Sequence, residues 1–241
     1  MSWSSFIDSA RAADHAVQVY EETADLVSAV APYLSAGSPA LVIATPGHGR
    51  ALLDALPEQA EVVVRDAEET LAAICEDGSL SAAAFERVVG GAVDELAARC
   101  PGRTIRAYGE MVDLLWRRGE RQEALALERL WNELQRSRPL ALLCAYCADL
   151  FDVDTQSGLA EVFGLHTHVH PVADPTRLSA ALDQALADVL GPARAARIYL
   201  DVADQVPRGR VPRSQAVIGW LCANDRSSAG EVLARARRYY A

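Results

Sequence analysis

The sequence predicts an α/β fold in which a mostly parallel central sheet carries helices on both faces, followed by a small helical segment. Short apolar runs alternate along the chain with longer amphipathic segments, the order expected of strand–helix–strand units. Ala40–Ala44 (ALVIA) is apolar throughout, as in a strand that is covered on both faces, and 140–146 (LALLCAY) is another long apolar run. Hydrophobic residues make up 51% of the 241 residues, which is enough for a packed core.

The strands are predicted from apolar and β-branched runs, and the helices from amphipathic periodicity with recognisable ends. Thr45 is a suitable N-cap and Pro46 a suitable first helical residue, and Gly119 separates two helices. The predicted strands are His15–Tyr20, Ala40–Ala44, 61–65, 104–108, 140–146 and 166–170. The predicted helices are 22–34, 45–56, 67–75, 81–99, 111–117, 121–136 and 174–190.

The C-terminal part reads as three short helices, 192–205, 212–223 and 227–240, with a break over 207–212 that is rich in proline and arginine. We expect one α/β domain over 1–190 and a helical segment over 191–241 that docks on it.

The two parts of the chain differ in charge. From Leu190 onwards the chain carries nine arginines against four acidic residues, a balance of +5. Since the whole chain has a net charge of −10, the preceding part carries −15.

All 23 basic residues are arginine. The absence of lysine excludes a lysine that binds phosphate in a nucleotide loop and a lysine that forms a Schiff base. The strongly acidic α/β part makes nucleic acid an unexpected partner there, and DNA binding through the basic C-terminal segment is a less favoured alternative.

No apolar run approaches the ~20 residues that a bilayer span needs, and the N-terminus lacks the pattern of a signal peptide. We therefore expect a cytoplasmic protein with no membrane partner. Five cysteines in such a compartment predict no disulfide framework. Cys144 and Cys147 have the spacing of a redox pair, but they lie on a strand rather than at a helix N-terminus, which disfavours that interpretation.

Ligands of parallel sheets bind beyond the carboxyl ends of the strands, and this rule selects the candidate site. We expect a pocket lined by His15, Tyr20, Arg106, Tyr108 and Glu110. The alternative is an Arg106–Glu110 ion pair with Tyr108 as packing.

Further candidates lie outside these strands. Trp131 is a candidate aromatic wall, with core packing as the alternative, and Asn132 lies four residues after Glu128 on one helix face. His166, His168 and His170 alternate, so on a strand they would share one side. His166 is a candidate ligand contact, and a metal at His166 and His168 is a weaker alternative to buried, hydrogen-bonded histidines.

Six strings occur in order over about 15–190: HAVQVYEE, LVIATPGHGRALLDAL, IRAYGEMVDLLWRRG, ALALERLWNEL, LALLCAY and HTHV. They resemble the MEDS domain, and YGEMVDLLW followed by LERLWNEL is the most specific part. The resemblance implies a RecA/KaiC-like fold and a sensory role, with detection of small hydrocarbon-like or methylated compounds. In such a fold the first strand would lead into a phosphate loop, but the turn at 19–25 has no glycine, no lysine and three carboxylates.

We therefore expect a non-catalytic sensor without a cofactor. It would bind a small, largely apolar molecule and signal to a protein partner or to its own C-terminal segment; a homodimer is left open. The alternative is an enzyme that uses Arg106, Tyr108 and Glu110 with a histidine as acid–base group.

Overall fold

The computed structural model describes residues 3–36, 39–205 and 211–241. The strands are β1 His15–Tyr20, β2 Ala40–Ala44, β3 Val62–Asp66, β4 Cys75–Glu76, β5 Ser79–Leu80, β6 Ile105–Gly109, β7 Leu140–Cys147 and β8 His168–Val169. Six of them form one parallel sheet of order β3-β2-β6-β7-β1-β8, and β4 and β5 form a small antiparallel hairpin. The α/β class predicted from the sequence is confirmed.

Helices surround this sheet. They are α1 Trp3–Ser9, α2 Thr23–Ser35, α3 Pro46–Ala55, α4 Ala67–Ala73, α5 Ala82–Phe85, α6 Gly91–Arg99, α7 Met111–Arg117, α8 Arg121–Ser137, α9 Val153–Leu165, α10 Pro175–Leu190, α11 Pro192–Gln205, α12 Arg213–Asn224 and α13 Arg226–Tyr240. A π-helical turn, Glu86–Gly90, joins α5 to α6, so the helix predicted over 81–99 is continuous but locally wider.

Successive side chains of a strand point to opposite faces, and this alternation divides the core in two. The face that we call the α2 face carries Ala16, Tyr20 and Tyr108 and packs on α1, α2 and α3. The face that we call the α8 face carries Val17 and Cys144 and packs on the remaining helices, α8 among them. The larger core lies on the α8 face and continues into the C-terminal helices.

Two helices were not expected from the sequence. In α9, Asp152 caps the N-terminus by accepting a hydrogen bond from Thr155 N at 2.8 Å, although Gly158 and Gly164 weaken the helical pattern. Helix α1 is only seven residues long, and its Phe6 stacks on Tyr33 of α2. Such short or glycine-containing helices depend on tertiary packing more than on propensity.

The three C-terminal helices begin and end close to the expected positions. Helix α13 packs on α10, and α12 packs on α9. Val217, Leu221 and Leu233 are fully buried in the core of the α8 face. The expected break over 207–212 lies largely outside the described residues, and the division into two domains stays a prediction.

Strand β3 forms one edge of the sheet, and Val64 on it is 40% exposed. At the other edge, β8 contributes only two residues. Among the described residues, no helix is both long enough and apolar enough to cross a bilayer.

Trp116 lies directly against Gly158 of α9, where an added Cβ would meet Trp116 Cη2 at 2.6 Å. We expect Gly158→Ala to lower the free energy of unfolding by about 1–3 kcal/mol, because the buried indole must move. Gly164→Ala is the matched control on the same helix, since a Cβ there meets nothing within 4 Å. It should be neutral or raise stability by up to about 1 kcal/mol. Urea denaturation measures both, and equal effects would contradict the contact.

Candidate functional site

The sequence-predicted site residues fall into two groups on opposite faces of the sheet. His15, Trp131, Asn132 and His166 lie on the α8 face, whereas Tyr20, Arg106 and Tyr108 lie on the α2 face and Glu110 follows β6. Because Tyr20 is five residues after His15 on one strand, alternation alone separates them. The single pocket expected from the sequence is therefore divided into two clusters.

The first, which we call the Glu128 cluster, comprises His15, Glu128, Cys144, Tyr146 and His166, all of them fully buried. Tyr146 Oη donates to Glu128 Oε1 at 2.6 Å, and Cys144 Sγ donates to Glu128 Oε2 at 3.4 Å. His15 Nε2 lies 3.3 Å from Glu128 Oε2, and His166 Nε2 lies 3.5 Å from Glu128 Oε1. One carboxylate thus joins strands β1 and β7 to helices α8 and α9.

The other ring nitrogens of the two histidines are held from outside the cluster. His15 Nδ1 lies 3.1 Å from Asn132 Oδ1, while Asn132 Nδ2 donates to Leu165 O at 3.2 Å. His166 Nδ1 donates to Val162 O at 2.7 Å. Asn132, a candidate from the sequence, therefore positions His15.

Burial governs the protonation of this cluster. Burial lowers the pKa of His15, and the neighbouring His166, whose ring centroid lies 4.0 Å away, lowers it further. Burial raises the pKa of Cys144 and of Tyr146, and the Glu128 carboxylate adds to both shifts. The thiol and the phenol are therefore protonated donors at neutral pH. His15, Cys144, Glu128 and His166 offer four donor atoms within 4.8 Å of one another, an arrangement that could hold a metal ion.

Trp131 is a core residue beside this cluster. Its indole is fully buried, packs edge-on to Phe85 with ring centroids 5.2 Å apart, and lies over Gly109. A Cβ at Gly109 would lie 3.5 Å from the ring, so the glycine permits this close packing.

The second cluster, which we call the Glu110 cluster, lies at the carboxyl ends of the strands. Tyr108 Oη donates to Glu110 Oε1 at 2.7 Å, and His48 Nδ1 donates to the same oxygen at 2.8 Å. Thr45 N donates to Glu110 Oε2 at 2.8 Å. The Glu110 carboxylate thereby fixes the start of α3 against the end of β6.

Asp113 extends the Glu110 cluster towards β7. It accepts from Cys147 N at 2.9 Å and from Tyr20 Oη at 3.5 Å, and it pairs with Arg117 Nε at 3.0 Å. Burial raises the pKa of Asp113 to about 6, although the hydrogen bond from Cys147 N and the charge of Arg117 oppose this. Burial and the charge of Asp113 raise the pKa of Tyr20.

Arg106 does not belong to the Glu110 cluster. Its Nη1 donates to Ile7 O and Tyr33 O, both at 2.6 Å, and its guanidinium lies 5.2 Å from the Tyr33 ring centroid. The alternative of an Arg106–Glu110 ion pair is therefore wrong. Arg106 is at the amino end of β6, about 13 Å of extended chain before Glu110, and it ties α1 and α2 to the sheet.

The histidines of 166–170 do not share one side, because β8 begins only at His168 and His166 ends α9. His166 contacts His15 on the α8 face with tilted rings, whereas His168 contacts Phe6 and His170 contacts Trp3 of α1. The His166–His168 metal pair predicted as the weaker alternative is therefore not formed. Cys144 and Cys147 also point to opposite faces, since they are three positions apart on β7.

A cleft, which we call the carboxyl-edge cleft, lies where β1 and β7 end against α13. Its volume is about 440 Å³, and it is lined by Glu21, Cys147, Ala148, Asp149, Phe151, Arg237, Tyr240 and Ala241. A smaller cavity of about 80 Å³ beside it shares Glu21 and Tyr240 and reaches Tyr20 and His170. Phe151 and Tyr240 contact each other with tilted rings, their centroids 5.5 Å apart, so aromatic side chains form part of the lining.

Several residues of these sites were not among the candidates predicted from the sequence. Glu128 occupies a buried position of α8 between Leu127 and Trp131, and a carboxylate at an apolar helix position is the signal that could have identified it. Asp113 is likewise the acidic residue in the buried run of α7. His48 follows the carboxyl end of β2, a position that the strand-end rule does select, but its pairing with Glu110, which is distant in sequence, could not be foreseen.

The Glu110 cluster predicts a pH-dependent contribution to stability. The hydrogen bond to Glu110 raises the pKa of His48 above 6.5, although burial opposes it. This stabilisation is fully present below pH 6.5 and is lost as the pH rises through the higher pKa of the folded chain. We expect His48→Gln to cost about 1.5–3 kcal/mol at pH 5 and about 0.5–1.5 kcal/mol at pH 8.5, measured by urea denaturation. In a Glu110→Gln background this difference should disappear, and its persistence would assign it elsewhere.

The model of one family matches residues 14–167, from the start of β1 to the end of α9, and its description is the methanogen/methylotroph, DcmR sensory domain, MEDS. No curated protein and no solved structure matches the chain significantly. The matched segment contains all residues of the Glu128 cluster and of the Glu110 cluster, and it covers more than half of the chain. The chain belongs to the MEDS family of sensory domains.

Proposed function

We propose that this chain is a non-catalytic sensory domain that binds a small, largely apolar molecule in the carboxyl-edge cleft. The position of the cleft is the observation that carries the proposal, because ligands of parallel sheets bind beyond the carboxyl ends of their strands. Its volume of about 440 Å³ lies in the range of roughly 300–1,000 Å³ that small-molecule sites occupy.

The lining of the cleft supports this class of ligand. Phe151 and Tyr240 offer aromatic surface, and Ala148 adds an aliphatic contact. Arg237 and Asp149 form an ion pair at the rim, and the guanidinium lies 5.6 Å from the Phe151 ring centroid. Aromatic walls with a few polar groups suit a hydrocarbon-like or methylated molecule with one polar handle, the class that the resemblance to the MEDS family implies.

Helix α13 forms one wall of the cleft, and this supports a role for α13 in signalling ligand binding to a protein partner. Tyr240 and Arg237 of α13 line the cleft, and the same helix packs on α10. A ligand between β7 and α13 would therefore favour one position of α13, and a protein partner that contacts this helix would read that position.

The basic C-terminal segment does not favour nucleic acid as the partner. Arg194 pairs with Asp225, Arg226 with Asp154 and Arg237 with Asp149. Two of these pairs join the segment to the acidic body, so these three arginines already have carboxylates as partners. Enzymatic use of Arg106 is disfavoured in the same way, because two backbone carbonyls hold it.

We expect a short alkyl halide, alcohol or methylated amine to raise the melting temperature of the wild type. At a hundredfold excess over Kd the increase should be about 5–10 °C. Tyr240→Ala should abolish this increase, because it removes one aromatic wall. Tyr239→Ala is the matched control, since Tyr239 is 36% exposed and bonds to Asp188 outside the cleft. Equal ligand responses of the two variants, or no response of the wild type across the panel, would contradict the proposal.

Hydrogen exchange tests the role of α13 in transmission. We expect a ligand from that panel to slow amide exchange in 226–240, because it bridges this helix to β7. Helix α3 does not line the cleft, so its exchange is the internal reference. Protection of the whole chain in equal measure would indicate general stabilisation, and unchanged exchange in 226–240 would rule out α13 as the output.

A further inference from the structure

We propose that His15, Glu128, Cys144 and His166 form a binding site for a divalent transition-metal ion, with Zn²⁺ as the best-fitting occupant. The inference is independent of the carboxyl-edge cleft, because the four residues lie on the α8 face of the sheet. They come from four different elements, so the site exists only in the folded chain. Imidazole nitrogens, a thiolate and a carboxylate are the ligand types that Zn²⁺ takes in proteins.

The donor atoms of His15, Glu128 and Cys144 are separated as the ligands of a tetrahedral ion are, and His166 Nε2 lies within 4.8 Å of them, so a small shift of its ring would complete the set. Zinc bonds of about 2.0–2.3 Å place neighbouring tetrahedral ligands about 3.3–3.8 Å apart. His15 Nε2 lies 3.3 Å from Glu128 Oε2 and 3.4 Å from Cys144 Sγ, Cys144 Sγ lies 3.4 Å from Glu128 Oε2, and His166 Nε2 lies 3.5 Å from Glu128 Oε1. All four donors lie within 4.8 Å of one another.

Hydrogen bonds to residues outside the cluster fix the tautomer and the orientation of both histidine rings, as in histidines that bind a metal. Val162 O can only accept, so His166 carries its proton on Nδ1. Asn132 Nδ2 donates to Leu165 O, which turns Asn132 Oδ1 towards His15 and places the His15 proton on Nδ1 as well. In the neutral rings, both Nε2 lone pairs are therefore directed at the Glu128 carboxylate. Ligating histidines characteristically donate their other N–H to such acceptors.

The charges of the four groups are compatible with a divalent cation between them. When both rings carry their protons on Nδ1, two nitrogen lone pairs and a carboxylate face one another in a fully buried site, and a bound cation would satisfy all three. A divalent ion with the Glu128 carboxylate and the Cys144 thiolate is neutral overall. Cys144 loses its proton to solvent as the sulfur–metal bond forms.

The residues around the four ligands indicate a structural metal site, in which every coordination position is filled by the protein, rather than a catalytic one. Tyr146 Oη donates to Glu128 Oε1 at 2.6 Å and orients the carboxylate, as Asn132 orients His15. Four protein ligands leave no open position for water or substrate. Since all four are fully buried, the ion enters as the chain folds and holds α8 and α9 against β1 and β7.

Cobalt is the probe, because Co²⁺ replaces Zn²⁺ and reports thiolate ligation by its absorption. The full-length chain refolded with one equivalent of Co²⁺ should show a thiolate-to-cobalt charge-transfer band and the visible bands of a tetrahedral ion. Zn²⁺ should displace it at a ratio of one per chain. Absence of the charge-transfer band in the folded wild type would overturn the proposal.

Matched variants locate the ion. Cys144→Ser should abolish the charge-transfer band, whereas Cys147→Ser, three residues along the same strand but on the other face, should retain it. His166→Gln should lose Co²⁺ binding, and His168→Gln should keep it. Asn132→Ala should lower the affinity about 10- to 100-fold, because His15 loses its orientation. Binding that is equal in Cys144→Ser and Cys147→Ser would refute the site.

A further variant covers the case in which Cys144→Ser does not fold. Replacement of Cys75, Cys100, Cys147 and Cys222 by serine leaves Cys144 as the sole cysteine. The charge-transfer band should persist in this folded variant at an unchanged stoichiometry. Its loss there would show that another cysteine supplied the thiolate, and the assignment to Cys144 would be wrong.

Discussion

The buried carboxylate of Glu128 is the interaction on which the arrangement of the α8 face depends. An ionised carboxylate removed from water costs several kcal/mol unless donors surround it. Tyr146 and Cys144 donate to it, and His15 and His166 place ring nitrogens 3.3 and 3.5 Å from its oxygens; these residues come from β7, β1 and the end of α9. The requirement therefore fixes where α8 lies over β1 and β7 and where α9 ends. The packing of α12 and α13 on α9 follows from that position.

The class of the fold and most of its elements could be predicted from the sequence, because apolar runs and helix ends are local signals. Strands β1, β2 and β7 begin within the predicted runs, and Thr45 and Pro46 open α3 as expected. The order of the strands could not be predicted, since β6 and β7 insert between β2 and β1 through contacts that no local pattern encodes. Helix α9 was missed because its two glycines weaken the pattern, although Asp152 caps it well.

The sequence identified many of the clustered residues, but it did not predict which of them lie together. His15 and His166 are in one buried cluster, with Asn132 beside it, and Tyr20, Tyr108 and Glu110 are in another, but the prediction placed them in a single pocket. The alternation of side chains along β1 is sufficient by itself to separate His15 from Tyr20. His166 was assigned to a strand, but it lies at the end of α9, where side chains do not alternate between the two faces of a sheet. Its position could therefore not be predicted from strand alternation. Arg106 illustrates what a sequence pattern does not predict. A buried cation needs hydrogen-bond acceptors, and the acceptors of Arg106 are backbone carbonyl oxygens of α1 and α2, which no local pattern identifies.

The open edge of the sheet at β3 has a consequence for behaviour at high concentration. An edge strand presents backbone N–H and C=O groups that can pair with a second chain, and the 40% exposed Val64 would favour such pairing. Arg65 follows Val64 directly, and Glu61 precedes the strand, so charges flank the apolar stretch. Both charges would have to give up water for a second strand to add there. The charges that disfavour pairing at this edge belong to residues outside both buried clusters, so substitutions there would alter edge pairing without touching either cluster.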